Sequence, residues 1–263
     1  MPTALDDIAF LARSSNRVDA LSVLADGPRE RAELETMTGV SRVTAKRILD
    51  DLLDRGWVAK SGRTYETTPL GELVEREFSR FFETMQAANR LQDLVQWFPD
   101  DGLGFDLRRL TDADITLPTR NNPFAPFRRA IEKLTAASRV RELTHSMPLE
   151  LLSVHYEAVT TDGQTLTVVL ESTTLDDLLD DAESAAALET LLECGVEVSA
   201  YDGEIPYAIG VADDSVGLLL TDSVGLPRAF LETTDDTVRS WATATIDEFA
   251  RDARRVDRSI LTQ

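Results

Sequence analysis

The stretch from Thr38 to Gly56, TGVSRVTAKRILDDLLDRG, constrains the fold of this chain more than any other. Thr38-Gly39-Val40 reads as a turn, Ser41 as the N-cap of a helix, and Gly56 as its stop. Along that helix Ala45, Leu49 and Leu52 recur at i, i+4 and i+7 and, with Ile48, form one apolar face. The opposite face carries Arg42, Val43, Lys46 and Arg47 in the first turns, with Thr44 at its rim. Upstream, Asn16 to Ala25 is periodic in Val18, Leu21 and Leu24 and stops at Asp26-Gly27-Pro28; a second short helix is expected from Arg31 to Met37, with Leu34 and Met37 inward. Downstream, residues 57–60 and 64–67 read as strands around a Ser61-Gly62-Arg63 turn. Helix, helix, turn, helix and β-wing describe a winged helix-turn-helix over residues 1–70.

Such a unit presents its third helix to the DNA major groove, where arginine can grip guanine and Val43 can touch a thymine methyl. A formal net charge of -20 argues against that partner until the charge is divided. Residues 1–70 hold 10 Lys+Arg and 11 Asp+Glu, so the acidity belongs to the remainder. Between residues 41 and 63 the balance turns positive: Arg42, Lys46, Arg47, Arg55, Lys60 and Arg63 stand against Asp50, Asp51 and Asp54. The expected DNA-contacting residues are therefore Ser41, Arg42, Val43, Thr44, Lys46, Arg47, Lys60 and Arg63. The other reading of a three-helix unit is a protein-interaction adaptor. With Lys46, Lys60 and Lys133 as its only lysines, the composition resembles that of salt-loving archaea. In molar salt the Debye length is about 3 Å and a dense carboxylate surface repels itself little.

From Pro69 a long helix is expected to reach Phe98, giving a connecting element over residues 71–102. Val74, Phe78, Phe81 and Met85 follow the spacing of a coiled-coil seam, which predicts a homodimer joined there. Residues 103–263 alternate strand and helix. Strands are expected at 114–117, 140–144, 166–171, 196–200, 208–211, 216–220 and 229–233; helices at 126–138, 148–159 and 175–194. A closing amphipathic helix would carry Val238, Trp241, Ile246, Phe249, Ala253 and Val256 on one face. The fold class is α+β to α/β: a winged helix-turn-helix, a connecting helix, and a C-terminal domain with a mixed sheet.

The two histidines, His145 and His155, sit in no HxKx4D or HExxH pattern, and GxSxG and GxxxxGK(S/T) do not occur, so no enzyme and no cofactor is expected. No His/Cys cluster has metal-ligand spacing. Cys194, in LETLLECG, reads as a buried helix residue. The start of the chain lacks a signal-peptide pattern and no apolar run approaches a membrane span; a soluble, cytoplasmic protein is the expectation. A small-molecule effector would bind at the carboxyl ends of parallel strands, where Arg120, Asn121, His145, Glu171, Tyr201 and Asp202 fall.

Residues 206–211 (PYAIGV) before an acidic turn, 216–220 (VGLLL), 225–229 (GLPRA) and Trp241 come in an order that resembles the archaeal regulator family named for a methanogen filamentation regulator. With the N-terminal winged helix the resemblance covers nearly the whole chain. It implies a DNA-binding transcriptional regulator and leaves the effector unspecified.

Overall fold

The computed structural model describes residues 3–99 and 102–257. It divides into two compact units, residues 1–86 and 87–263. The N-terminal unit opens with helix α1 (Ala4–Ala12), begun by a capping box in which Thr3 and Asp6 satisfy each other's amides. Helix α2 (Ser15–Ala25) follows, then strand β1 (Arg29–Glu30) and helix α3 (Arg31–Thr38). Gly39 ends α3 at φ 70°, the left-handed cap that glycine adopts without strain. Helix α4 (Arg42–Asp54) leads into strands β2 (Val58–Ser61) and β3 (Thr64–Thr67), and β1 joins them in the order β1-β3-β2. Helix α1 and strand β1 are additions to the sequence reading.

The core of this unit is built from Phe10, Leu11, Leu21, Leu24, Leu34, Ile48, Leu49, Leu52 and Trp57. The Phe10 ring lies between the guanidinium groups of Arg17, at 4.0 Å, and Arg55, at 3.6 Å, and meets Trp57 edge-on at 6.0 Å. Helix α5 (Pro69–Leu91) starts where Gly71 passes the backbone of Trp57. A Cβ there would stand 1.9 Å from the Trp57 carbonyl oxygen, so only glycine permits this approach.

Helix α5 ends at Leu91, short of the expected Phe98. Leu91 and Leu94 turn into the core of the C-terminal unit, and the chain continues as a single 3-10 turn at Val95–Trp97. That unit contains strand β4 (Asp114–Thr116), helix α6 (Ala125–Ala136), strand β5 (Arg139–Thr144), helix α7 (Leu149–Asp162), strand β6 (Thr165–Glu171), helices α8 (Ser172–Asp180) and α9 (Ala182–Glu193), strand β7 (Glu197–Tyr201), strands β8 (Ala208–Ala212), β9 (Ser215–Thr221) and β10 (Pro227–Thr233), helix α10 (Asp236–Asp252) and strand β11 (Arg254–Arg255). The sheet order is β11-β7-β6-β5-β8-β9-β10-β4, with β5, β6 and β7 parallel and the other pairings antiparallel.

Alternation along the strands sends Leu143, Val169, Ile209, Val211 and Leu218 to a core shared with Val238, Ala242 and Ile246 of α10. The other core holds Val140, Val168 and Leu170 with Leu134 of α6, Leu151 and Leu152 of α7, Leu175 of α8 and Leu188 of α9. Three local expectations are corrected. The single helix at 175–194 is two, because Asp181 accepts from the Ser184 amide at 2.8 Å and caps a new helix. Cys194 follows the last turn of α9 and is exposed. The closing helix stops at Asp252, after which Arg254–Arg255 pair with β7 and Val256 is buried among the residues of α6–α9.

Candidate functional site

In the N-terminal unit, Ser41 accepts the Thr44 amide at 3.3 Å, and its hydroxyl lies 3.0 Å from that of Thr44. Both side chains are thereby engaged in starting α4. With Ala45, Ile48, Leu49 and Leu52 buried, the helix is fixed in rotation, and Arg42, Val43, Lys46 and Arg47 point away from the core. Val43 is 79% exposed, a branched apolar side chain in water at the centre of a cationic face. Arg42, Arg47 and Arg63 have no ion pair among the described residues, whereas Lys46 meets Asp50 at 3.2 Å, one turn along the helix. Lys60 lies on the wing with its Nζ 5.2 Å from the centre of the Tyr65 ring, and Arg63 is exposed at the wing turn. Arg17 and Arg55 are occupied: Arg17 meets Asp51 at 3.7 Å and Arg55 meets Asp7 at 3.2 Å. Cations committed to the fold and cations left free thus occupy different parts of the unit.

The four expected seam residues divide. Val74 and Phe78 are half-buried and pack on the N-terminal unit's own core, while Phe81 and Met85 are exposed beside Phe82. The 4, 3, 4 spacing therefore combines one helix turn seated on its own domain with a following turn that leaves three large apolar side chains in solvent.

The polar groups at the strand ends do not gather into one pocket. Strand β4 lies four strands from β5, about 19 Å at the usual strand spacing. Arg120 and Asn121 follow β4 in an exposed turn closed by mutual backbone bonds of Thr119 and Asn122 at 3.1 Å. Glu171 accepts the Ile205 amide at 2.6 Å, Asp202 accepts the Ser172 hydroxyl, and the Tyr201 ring packs edge-on against Phe249 at 4.8 Å. These three side chains close the ends of β6 and β7. Of the six, His145 lines a cavity of substantial volume.

That cavity, about 470 Å³, lies at the carboxyl ends of β5 and β9 between α6 and the start of α7. Phe127, Ile131, Leu151 and Leu219 supply an apolar wall, and His145 and Thr221 its polar spot. His145 Nε2 is 3.3 Å from the Thr221 hydroxyl, and its Nδ1 is buried without a hydrogen-bond partner. Burial lowers the His145 pKa below the ordinary imidazole value, opposed by the charges of Glu171 and Glu204. The buried setting disfavours the imidazolium, and a neutral ring offers one nitrogen as donor and the other as acceptor. Periodicity could not reveal this site, because Phe127 and Ile131 follow the same spacing as a filled core face.

No helix among the described residues is long and apolar enough to cross a membrane. Residues 5–90 match the HVO_A0261 N-terminal domain, and residues 123–252 match the middle domain of the methanogenesis regulatory protein FilR1. No curated protein matches the chain. Among solved structures, TrmBL2, an archaeal chromatin protein, is 15% identical over 97% of this chain and 100% of its own, with a TM-score of 0.44. NucT from Helicobacter pylori is 11% identical over 55% of this chain and 99% of its own, with a TM-score of 0.45. A putative IclR-family regulator from Rhodococcus sp. is 15% identical over 97% of both chains, with a TM-score of 0.22. Likenesses at these scores carry no functional argument.

Proposed function

The chain belongs to the archaeal regulators by both of its matched domains, and from that premise we propose that it is a sequence-specific, ligand-responsive transcription regulator that binds its operator as a homodimer. DNA binding and transcription regulation are what this family resemblance implies. The choice of α4 as the reading helix is carried by one observation: Arg42, Val43, Lys46 and Arg47 face solvent from the first turns of a helix whose other face is buried. Arginine in that position can make bidentate contacts to guanine, Val43 can meet a thymine methyl, and Lys60 and Arg63 of the wing can neutralise phosphates. DNA as partner sets the protein in the cytoplasm. The acidic remainder of the chain suits a high-salt habitat.

Homodimerisation is proposed through Phe81, Phe82 and Met85, large apolar side chains left in water by the middle of α5. A dimer implies a roughly palindromic operator, with half-sites about 10 bp or a multiple apart. Ligand response is proposed at the His145 cavity. A ligand changes DNA affinity only so far as it binds the two affinity states unequally.

Replacing Arg42, Lys46 and Arg47 together by Ala tests the assignment of α4. Loss of three cations from the groove should weaken operator binding at least about 100-fold and reduce the salt slope of log K by about 2 to 3. Unfolding should shift little, since all three side chains are exposed. Fluorescence anisotropy across a salt series measures both quantities. Unchanged affinity would remove α4 from the DNA interface and leave the adaptor reading.

A further inference from the structure

The mouth of the His145 cavity bears two charges that meet no opposite charge among the described residues. Arg128, on α6, and Glu150, in the first turn of α7, both line it, and neither has an ion-pair partner among the described residues. The adjacent Arg129 shows the alternative fate of a cation here: it meets Glu232 at 3.1 Å and Glu132 at 3.3 Å. Arg128 and Glu150 are exposed, so water solvates them at no cost to the fold. Behind them the wall is apolar, with Phe127, Ile131, Leu151 and Leu219, and its volume lies within the range of small-molecule sites.

A purely anionic ligand would meet Glu150 and a purely cationic one Arg128. A ligand without charge would leave both to be partly desolvated with nothing in return. The combination of an apolar wall and one free charge of each sign fits a molecule with an apolar body and a zwitterionic end. We propose that the cavity binds an apolar α-amino acid, its carboxylate toward Arg128, its ammonium toward Glu150, and its side chain against the Phe127, Ile131 and Leu151 wall. The proposal deepens the ligand-responsive reading of the chain and rests on it for any effect at DNA. Binding itself can be measured without DNA.

The test is isothermal titration calorimetry on the full chain with two sets of probes that share a body and differ in charge. One set is phenylalanine, phenylethylamine and phenylpropionate; the other is leucine, isoamylamine and isocaproate. In at least one set the amino acid should bind about ten-fold or more tightly than either singly charged analogue, the worth of one charge-assisted hydrogen bond. Arg128→Gln should bring the amino acid to the affinity of the amine and leave the amine unchanged. Glu150→Gln should bring it to the affinity of the carboxylate and leave the carboxylate unchanged. Ser146→Trp, at an exposed position beside the cavity, should abolish binding by filling it while preserving the far-UV circular dichroism spectrum. A singly charged analogue that binds as well as the amino acid, binding that survives Ser146→Trp, or no binding in either set by a natively folded protein would each overturn the proposal. Operator affinity measured on the same samples separates the outcomes: retained DNA binding without amino-acid binding refutes the ligand class alone, and loss of both refutes the regulator reading.

Discussion

The cationic face of α4 and the ion pairs of the C-terminal unit use arginine in different ways. In the N-terminal unit Arg42, Arg47 and Arg63 stand in solvent without carboxylate partners, on the face opposite the core. In the C-terminal unit Arg129, Arg141, Arg228, Arg239 and Arg255 each hold a carboxylate, and Lys133 meets Glu232. Asp222 illustrates the second use. It accepts the Leu226 amide at 2.9 Å and the Val224 amide at 3.0 Å, and Arg228 Nε donates to it at 2.9 Å, so one acid fixes the turn between β9 and β10. The backbone bond from Leu226, ahead of the Arg228 contact, holds this carboxyl below the ordinary aspartate range. Even with so large a carboxylate excess, the cationic face of α4 and the mouth of the cavity both keep arginines without a carboxylate partner among the described residues.

If charge in the C-terminal unit serves the fold, its most buried polar pair should be the most costly to break. Glu142 Oε2 and His155 Nε2 are 2.8 Å apart, with side chains only 6% and 1% exposed. His155→Ala leaves the Glu142 carboxyl buried without that partner and should cost about 3 to 5 kcal/mol in urea unfolding. Replacing both residues by Leu should recover much of the loss, because no buried polar group is then stranded. A cost below about 1 kcal/mol for His155→Ala would break the contrast between the units.

A smaller effect divides the two roles combined in α5. Phe78 packs on the N-terminal core while Phe81 is 53% exposed. Phe78→Ala should destabilise that unit by about 2 kcal/mol, less than for a fully buried ring. Phe81→Ala should change unfolding of the monomer, measured at high dilution, by less than about 0.5 kcal/mol and, combined with Met85→Ala, shift the concentrated protein toward monomer in light scattering. Equal losses of stability from Phe78 and Phe81 would mean that the helix serves only its own domain.

What the sequence disclosed follows from the range of the interactions concerned. Helix α4 was legible because a capping serine, a 3.6-residue apolar stripe and a closing glycine all act within one element. The wing was legible because its turn chemistry is local. Helix α1 went unread although its Thr3–Asp6 capping box is local; what seats it, the packing of Phe10 against Arg17, Arg55 and Trp57, reaches across the unit. The break at Asp181 escaped because the apolar period runs on through it. The cavity escaped for a longer-range reason. Which strand ends meet depends on β8 inserting beside β5, and that order sets β4 at the far edge with Arg120 and Asn121. Polar residues do stand at the strand ends, yet local pattern does not say which ends are neighbours.

The smallest expected effect concerns the one cation on the α4 face that is paired. Lys46 and Asp50 meet at 3.2 Å with both side chains largely in water, and the lysine precedes the acid, the weaker orientation for an i,i+4 pair. The pair therefore contributes no more than about 0.5 kcal/mol to stability. On DNA, however, Asp50 would bring a negative charge near phosphates within a Debye length of about 10 Å at 0.1 M salt. Asp50→Asn removes that repulsion and frees Lys46. Operator affinity should rise about two- to five-fold at 0.1 M salt, a change of under about 1 kcal/mol, and the gain should vanish in molar salt, where screening is complete within about 3 Å. Anisotropy titrations of wild type and Asp50→Asn at both salt concentrations decide the matter. A fall in affinity at low salt would show that Asp50 holds Lys46 in the contacting rotamer, so that the pair, and not the free cation, is what α4 presents to DNA.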